Sequence, residues 1–361
     1  MDGVDAVAVT FTDNKVHLLN SLTAPYPSNT KEQLHKTTNR ENKFSLEQIA
    51  HLDILVGNFF AKTAIKLLEE AQLSAGEVIA IGSHGQTISH NINGNLPFTW
   101  QIGNPANIAA NTGITTIADF RSLDVAMGGQ GAPLVPAFHE YQFSSKKCDR
   151  VIVNVGGIAN ISILKKNAKA LIGYDTGPGN CLMDDWFRVH MRGDFDKDGK
   201  WAKSGKIIES LLDEMLKEPY FQLKTSKSTS RELFSLPYLT NILKSKKEWV
   251  NASAEDVQAT LLSLTVSSII KEIKLNSIES DLEIYICGGG ASNGFLISKF
   301  QEKLPNQQVK DTGSLGIDPD FVEAAAFAWL AKQRVSESPI KLITGGKRQQ
   351  LVLGAVYSPS F

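Results

Sequence analysis

The stretch VIVNVGGIANISILKKNAKALIGYD, beginning at Val151, limits the possible folds more than any other part of the chain. It reads as strand, Gly-Gly turn, strand, Lys-Asn turn, strand, because runs of β-branched residues are punctuated by turn chemistry. The opening MDGVDAVAVTFTDNKVHLL follows a similar plan. There Asp2-Gly3 is turn chemistry, Val4 to Thr12 a strand, Asp13-Asn14-Lys15 a turn, and Val16 to Leu19 the returning strand. The likeness is one of pattern, since few residues match. It predicts two halves built on one plan, each starting with a glycine-turned hairpin.

A chain of 361 residues can carry two such halves and a sizeable core. A hydrophobic share of 42% and a charged share of 21% are those of an ordinary globular protein. The net charge of -1 argues against nucleic acid or an anionic membrane as the main partner. Cys148, Cys181 and Cys287 are scattered without a CxxC pair, which indicates neither a disulfide framework nor a zinc site. No apolar run is long enough to span a bilayer and no signal-peptide pattern opens the chain, so a cytoplasmic protein with free thiols is expected.

Between the two blocks, Ser45-Leu-Glu-Gln48 is a capping-box pattern. Ile49, Leu52, Val56, Phe60, Ala64 and Leu67 then recur at helical spacing until about Gln72. Short strands are expected at Val78 to Ile81, Phe98 to Ile102 and Thr115 to Ala118. The run Gly128-Gly-Gln-Gly-Ala-Pro-Leu-Val-Pro136 is a rigid connection and a candidate crossing between domains. After the second block come helices over about Ala202 to Leu216 and Ala254 to Leu275, then a buried strand from Glu283 to Cys287. A Gly288-Gly289-Gly290 turn leads to a helix over about Asn293 to Leu304. Asp318-Pro319 is expected to open the last helix, as N-cap and first helical position.

Several residues could carry chemistry. A strand, three glycines and a helix start let backbone N–H groups approach a phosphate, and the same glycines also suit a tight turn. Asn154-Val-Gly-Gly157 is equally open alone, because hairpins need glycine anyway. Two glycine tips and the Asp2-Gly3 turn together favour a nucleotide held between two lobes. Gly173-Tyr-Asp-Thr-Gly-Pro-Gly-Asn180 places one carboxylate, Asp175, at a strand end among small turn residues. It suits a general base, or an aspartate capping its own turn. Glu323 lies on a helical face with Ala326, Phe327 and Leu330, which suits either a cavity with a polar ligand or a first-turn glutamate reaching solvent. His84, in Gly82-Ser83-His84-Gly85-Gln86, could bind a sugar or hold a loop. Arg121 offers a cation near a strand end, with a surface ion pair as the other reading. No pair of histidines has metal-ligand spacing, so a metal would arrive as Mg²⁺ with a nucleotide. The Lys227-Ser-Thr-Ser-Arg231 segment reads as a solvated loop.

Taken together, the segments IGSHGQTISH, WQIGNPANIAANTGITTIADFR, GGQGAPLVPAFH, VIVNVGGIANIS, GYDTGPGNCLMDDW, KSTSRELF, CGGGASN and VEAAAFAWLA resemble the anhydro-N-acetylmuramic acid kinase family. They stand in the family's order and cover nearly the whole chain. The resemblance implies an α/β, two-lobed actin-like ATPase fold, a duplicated ribonuclease H-like plan with a central interdomain cleft. It sets an N-terminal lobe at 1–127, completed by about 340–361, and a C-terminal lobe at 128–339. It implies conversion of 1,6-anhydro-N-acetylmuramic acid, water and ATP, with Mg²⁺, into N-acetylmuramic acid 6-phosphate and ADP. That reaction recycles peptidoglycan fragments in the cytoplasm, and the family suggests a homodimer.

Residue by residue, Asp175 matches the family's general base. Asp2, Gly3 and Asp5 match the end of the first phosphate hairpin, and Asn154, Gly156 and Gly157 the second. Gly288, Gly289, Gly290 and Asn293 match the adenosine-side turn. Glu323 matches a carboxylate resembling a sugar ligand, with His84, Gln101 and Arg121 as further sugar-side candidates. Two departures stand out: Ser230 replaces a usual glycine, and Asp2-Gly3-Val4-Asp5 retains only the end of the family's MSGTSLDGVD pattern. The first strand and part of its hairpin are therefore expected to be missing, leaving an unpaired sheet edge. The alternative expectation is a homologue that binds the sugar or a protein partner without phosphoryl transfer.

Overall fold

The computed structural model describes residues 3–38, 42–92, 94–166, 171–223, 227–229, 231–276, 282–344 and 347–359. The chain divides into two compact units, Met1–Phe138 with Phe321–Phe361, and His139–Asp320.

The first unit opens with a long hairpin of β1 (Gly3–Thr12) and β2 (Lys15–Pro25). Thr12 faces Lys15, so Asp13 and Asn14 form a two-residue turn, both with positive φ. Residues that tolerate the left-handed region are what such a turn requires. Next come β3 (Ile81–Gly82), β4 (Gln86–Asn91), β5 (Phe98–Ile102) and β6 (Thr116–Ala118). The second unit contributes β7 (Asp149–Val155), β8 (Ile158–Leu164), β9 (Ile172–Pro178), β10 (Leu282–Cys287) and β11 (Val309–Asp311). The chain then returns to the first unit with β12 (Ile340–Thr344), β13 (Lys347–Leu351) and β14 (Ala355–Tyr357).

The second unit holds one five-stranded sheet in the order β11-β10-β7-β8-β9. β10 runs parallel to β7 and β11, whereas β7, β8 and β9 form an antiparallel meander. Helix Ala254–Asn276 packs along it, and Val151, Val153, Ile161 and Ile284 join Leu264, Ile269 and Phe300 in one continuous core. Strands covered on their faces read as near-continuous apolar runs, which is the pattern of VIVNV. Asn167, in the expected Lys-Asn turn after β8, lies outside the described residues.

The first unit is divided into smaller sheets: β1-β2, β14-β6-β3, β4-β5 and β12-β13. Helix Leu46–Ala71 begins with the expected capping box: Gln48 N–H donates to Ser45 Oγ at 3.1 Å, and Ser45 N–H to Gln48 Oε1 at 2.8 Å. Its Leu52 and Val56 pack with Tyr26, Leu34 and Ile102. A cavity of about 740 Å³ is lined by β1 on one side and by Val78 to Gln86, around β3, on another. Faces of helices Leu46–Ala71 and Val322–Val335 complete its walls.

Three elements differ from expectation for local reasons. The strand expected from Val78 is reduced to Ile81–Gly82, preceded by a 3-10 turn at Ala75–Glu77. There the Glu77 carboxylate accepts from both the N–H and the hydroxyl of Ser74. The helix expected over Ala202 to Leu216 is two, Lys200–Ser204 and Glu209–Met215. Gly205 lies so close to the Glu255 carbonyl that a Cβ would overlap it, and Asp256 and Thr260 accept the N–H groups of Lys206 and Ile208. Asp318 caps a 3-10 turn, Pro319–Phe321, by accepting from Asp320 N–H at 3.0 Å, and the α-helix starts at Val322.

Candidate active site

In the second unit, Asp175 lies at the middle of β9 and is 9% exposed. Its Oδ2 accepts two hydrogen bonds, from Ser228 Oγ and from Thr229 N–H, each at 3.0 Å. Its backbone is held as well: Asp175 N–H donates to the Lys227 carbonyl at 3.1 Å, and Tyr220 Oη–H donates to the Asp175 carbonyl at 2.7 Å. Burial, and then the Asp175 charge, push the Tyr220 phenol well above its ordinary value, so it stays a donor. Donors to a carboxylate favour its charged, proton-accepting form. Both of these donors to the Asp175 side chain come from the 227–229 segment, far from β9 in the chain.

The glycine turns of this unit are close-packed. The carbonyls of Gly156 and Gly157 accept from Gly179, Asn180 and Cys181 N–H, tying the β7–β8 turn to the start of helix Cys181–His190. A Cβ on Gly157 would meet the Arg231 guanidinium, with Nε at 2.6 Å, so only glycine lets that cation lie against the turn. Gly288 has φ of +75°, and a Cβ there would also collide with Asn154 Oδ1. Asn154 and the triple-glycine turn are thus neighbours, at the adjoining ends of β7 and β10. Gly289 and Gly290 start a 3-10 turn, and Asn293 Oδ1 caps helix Gly294–Lys303 by accepting from Leu296 N–H at 3.0 Å. Burial pushes the nearby Cys181 thiol up to about 12, leaving it an inert core residue.

In the first unit, Arg121 donates from Nε and Nη2 to His84 Nε2, at 3.1 and 2.8 Å, and from Nη1 to the Gly131 carbonyl at 2.7 Å. His84 Nε2 is therefore an acceptor, and burial together with the Arg121 charge holds the imidazole neutral, well below its usual pKa. The His84 ring packs on Phe327, one turn beyond Glu323, with centroids 4.5 Å apart. Glu323 lines the cavity and is exposed to it. Desolvation raises its pKa, the Arg121 charge opposes the rise, and Asp5 adds to it. Asp5, His84, Arg121 and Glu323 are thus one electrostatic group, with Gly3, Asp5, His84 and Glu323 on the cavity wall.

Gln101 is engaged elsewhere, donating from Nε2 to Thr87 and Thr99 hydroxyls at 3.1 and 2.8 Å on the β4–β5 sheet. Asp5 accepts from Thr23 Oγ1 at 2.6 Å. Asp2 and Ser230 lie outside the described residues. Among the described residues no three His, Cys, Asp or Glu side chains converge as metal ligands.

Sequence reading missed the 227–229 segment as the holder of Asp175, and Arg231 as the cation on the Gly157 turn. The one available signal was the Ser-Thr pair of KSTSR, whose hydroxyls and amides suit a carboxylate. Nothing local linked that pair to β9, more than fifty residues away in the chain.

A family profile described as anhydro-N-acetylmuramic acid kinase matches residues 1–359. A curated anhydro-N-acetylmuramic acid kinase of Actinobacillus pleuropneumoniae serotype 7 is 46% identical over 363 residues, spanning 99% of this chain and 96% of that one. One from Shewanella pealeana is 45% identical over 360 residues, spanning 99% and 95%. Among solved structures, the activator of the 2-hydroxyisocaproyl-CoA dehydratase from Clostridium difficile with bound ADPNP aligns over 93% of this chain and 96% of that one. Its TM-score is 0.46 at 11% identity.

Proposed function

The chain belongs to the anhydro-N-acetylmuramic acid kinase family, and from that premise we propose how its residues divide the work. The activity is that of an ATP-using sugar kinase, which opens 1,6-anhydro-N-acetylmuramic acid with water and delivers the 6-phosphate and ADP. A full-length match at this identity favours the enzyme over a non-catalytic homologue.

Asp175 serves as the general base. It takes a proton from a water whose oxygen attacks the anomeric carbon, and the bond from that carbon to O6 breaks. O6 then bonds to the γ-phosphorus of ATP, and the β–γ bridging oxygen leaves with ADP. The observation that supports this role is the grip of Ser228 and Thr229 on Asp175 Oδ2, which orients the carboxylate. Asn154, Gly156 and Gly157 take the phosphate side of the nucleotide, with Arg231 beside them as a cation for developing charge. Gly288, Gly289, Gly290 and Asn293 take the adenosine side, and Gly3 and Asp5 belong to the end of the first phosphate hairpin. Glu323, His84 and Arg121 form the sugar side, with Gln101 as an outer member. Mg²⁺ brought by the nucleotide would supply charge neutralisation during transfer. The proposal extends to a cytoplasmic location and a homodimer.

The test is Asp175→Asn, which keeps the size of the side chain and removes its basicity. Turnover should fall by about 10²–10⁴-fold, with the thermal midpoint close to that of the parent. Near-normal ADP release with the anhydro sugar would remove Asp175 from the role.

A further inference from the structure

The second unit contains an ion pair in a place that stability does not explain. Lys227 Nζ lies 2.7 Å from Glu272 Oε1, with the two side chains 2% and 4% exposed. Burying two charges costs several kcal/mol per ion before their attraction is counted, and apolar residues of similar size often serve stability as well or better. The pair is nonetheless fully engaged. Glu272 Oε2 accepts from Tyr174 Oη–H at 2.9 Å, Asn276 Nδ2 donates to Tyr174 Oη at 2.6 Å, and Lys227 Nζ lies 5.0 Å from the centre of the Tyr220 ring.

Lys227 and Tyr174 are chain neighbours of the groups in the grip on Asp175, and Tyr220 is one hydrogen bond from it. The Lys227 carbonyl accepts the Asp175 N–H, Ser228 and Thr229 follow Lys227 directly, and Tyr174 precedes Asp175. Tyr220, whose ring meets Lys227 Nζ, donates its hydroxyl to the Asp175 carbonyl. Glu272 comes from helix Ala254–Asn276, which fixes the same region at two further points. Thr265 Oγ1 donates to the Gly179 carbonyl at 2.8 Å, and Lys271 Nζ to the Phe221 carbonyl at 2.7 Å.

Resting on the reading of Asp175 as the base, we propose that the Lys227–Glu272 pair is a positioning device that locks the 227–229 segment in the register at which Ser228 and Thr229 hold the Asp175 carboxylate. Lys227 and Glu272, buried in the core, act through the loop. Helical attachment makes the anchor rigid, and charge makes it specific, because a slip of one residue would bury two unpaired ions.

Lys227→Met alone would strand the Glu272 carboxylate in the core and could unfold the unit. The informative variant is Lys227→Met with Glu272→Gln, which removes both charges and keeps an acceptor for Tyr174. It should fold with a thermal midpoint within about 5 °C of the parent. Its kcat should fall about 10- to 100-fold, the cost of a small misplacement, while KM for ATP changes less than about twofold. The Thr229 amide should exchange with solvent faster, as followed by NMR. Placed in the Asp175→Asn background, the double substitution should cost nothing further in kcat, because both act on one group. Unchanged kcat and unchanged Thr229 exchange would overturn the proposal. So would a loss of kcat matched by a collapse of the thermal midpoint, since that is stability alone. If Asp175→Asn itself keeps its turnover, the base reading fails, and Thr229 exchange by itself then decides whether the pair positions the loop.

Discussion

Hairpins β7–β8 and β1–β2 begin with strands of similar apolar character and meet different fates. Val151, Ile152, Val153 and Val155 of β7 are fully buried, whereas no residue of β1 is. β7 is paired along both edges, parallel to β10 and antiparallel to β8. β1 is paired to β2 alone among the described strands, and its other side lines the 740 Å³ cavity that Val78 to Gln86 also border. The sheets can be laid side by side. The parallel pair β10–β11 has its counterpart in β3–β6, and the antiparallel pair β8–β9 in β1–β2. Where the second unit places β7 between such pairs, the first unit has the cavity. Apolar sequence therefore makes a strand, and a covered edge with helices on the faces makes it core.

Paired substitutions can break this comparison. Ile161→Ala, in the buried sheet, should cost about 3–4 kcal/mol, and Val7→Ala, on half-buried β1, under about 1 kcal/mol. Urea unfolding measures both, and equal costs would contradict the contrast. Amide exchange should follow the same order, slow from Val151 to Val155 and faster from Val4 to Phe11.

Acid sharpens the comparison next, because each unit buries a neutral histidine. In the second, burial takes His139 down to about 3, and its Nδ1 lies 2.8 Å from Ser162 Oγ on β8. The unfolded chain takes up that proton near 6.5, and the folded one refuses it until about 3. Stability is therefore full above about 6.5 and lost as pH falls through the window. Between pH 7 and 5, His139 alone should remove about 2 kcal/mol. His139→Gln should flatten that part of the pH dependence, and His84→Gln the part belonging to the first unit. A histidine variant that leaves the slope unchanged would refute its contribution.

The smallest expected effect concerns the division of ligands. Glu323→Gln should weaken the anhydro sugar about tenfold, or ~1.4 kcal/mol, and ATP much less. Equal losses for both by calorimetry would refute that assignment.

Much of this was legible in the sequence where local chemistry decides the outcome. Ser45 and Gln48 announced their capping box, Asp13-Asn14 their turn, and VIVNVGG its strand and glycine tip. Glycine at 288 was legible as a turn, but its second cause, the nearness of Asn154, is a tertiary fact. The helix expected across Gly205 failed because contacts with a distant helix start outweighed its periodicity. The holder of Asp175 was hidden for the same reason. Lys227 looks like a surface lysine until Glu272, forty-five positions later, is seen to bury it.

The most direct test of the account is to run the reaction in ¹⁸O-labelled water with MgATP and 1,6-anhydro-N-acetylmuramic acid, stopping it early and reading the products by mass spectrometry. The account predicts one ¹⁸O in the sugar 6-phosphate, at the anomeric hydroxyl, and none in the transferred phosphoryl group, with ADP formed in equal amount. ADP released with ¹⁸O in free phosphate and no labelled sugar phosphate would contradict it.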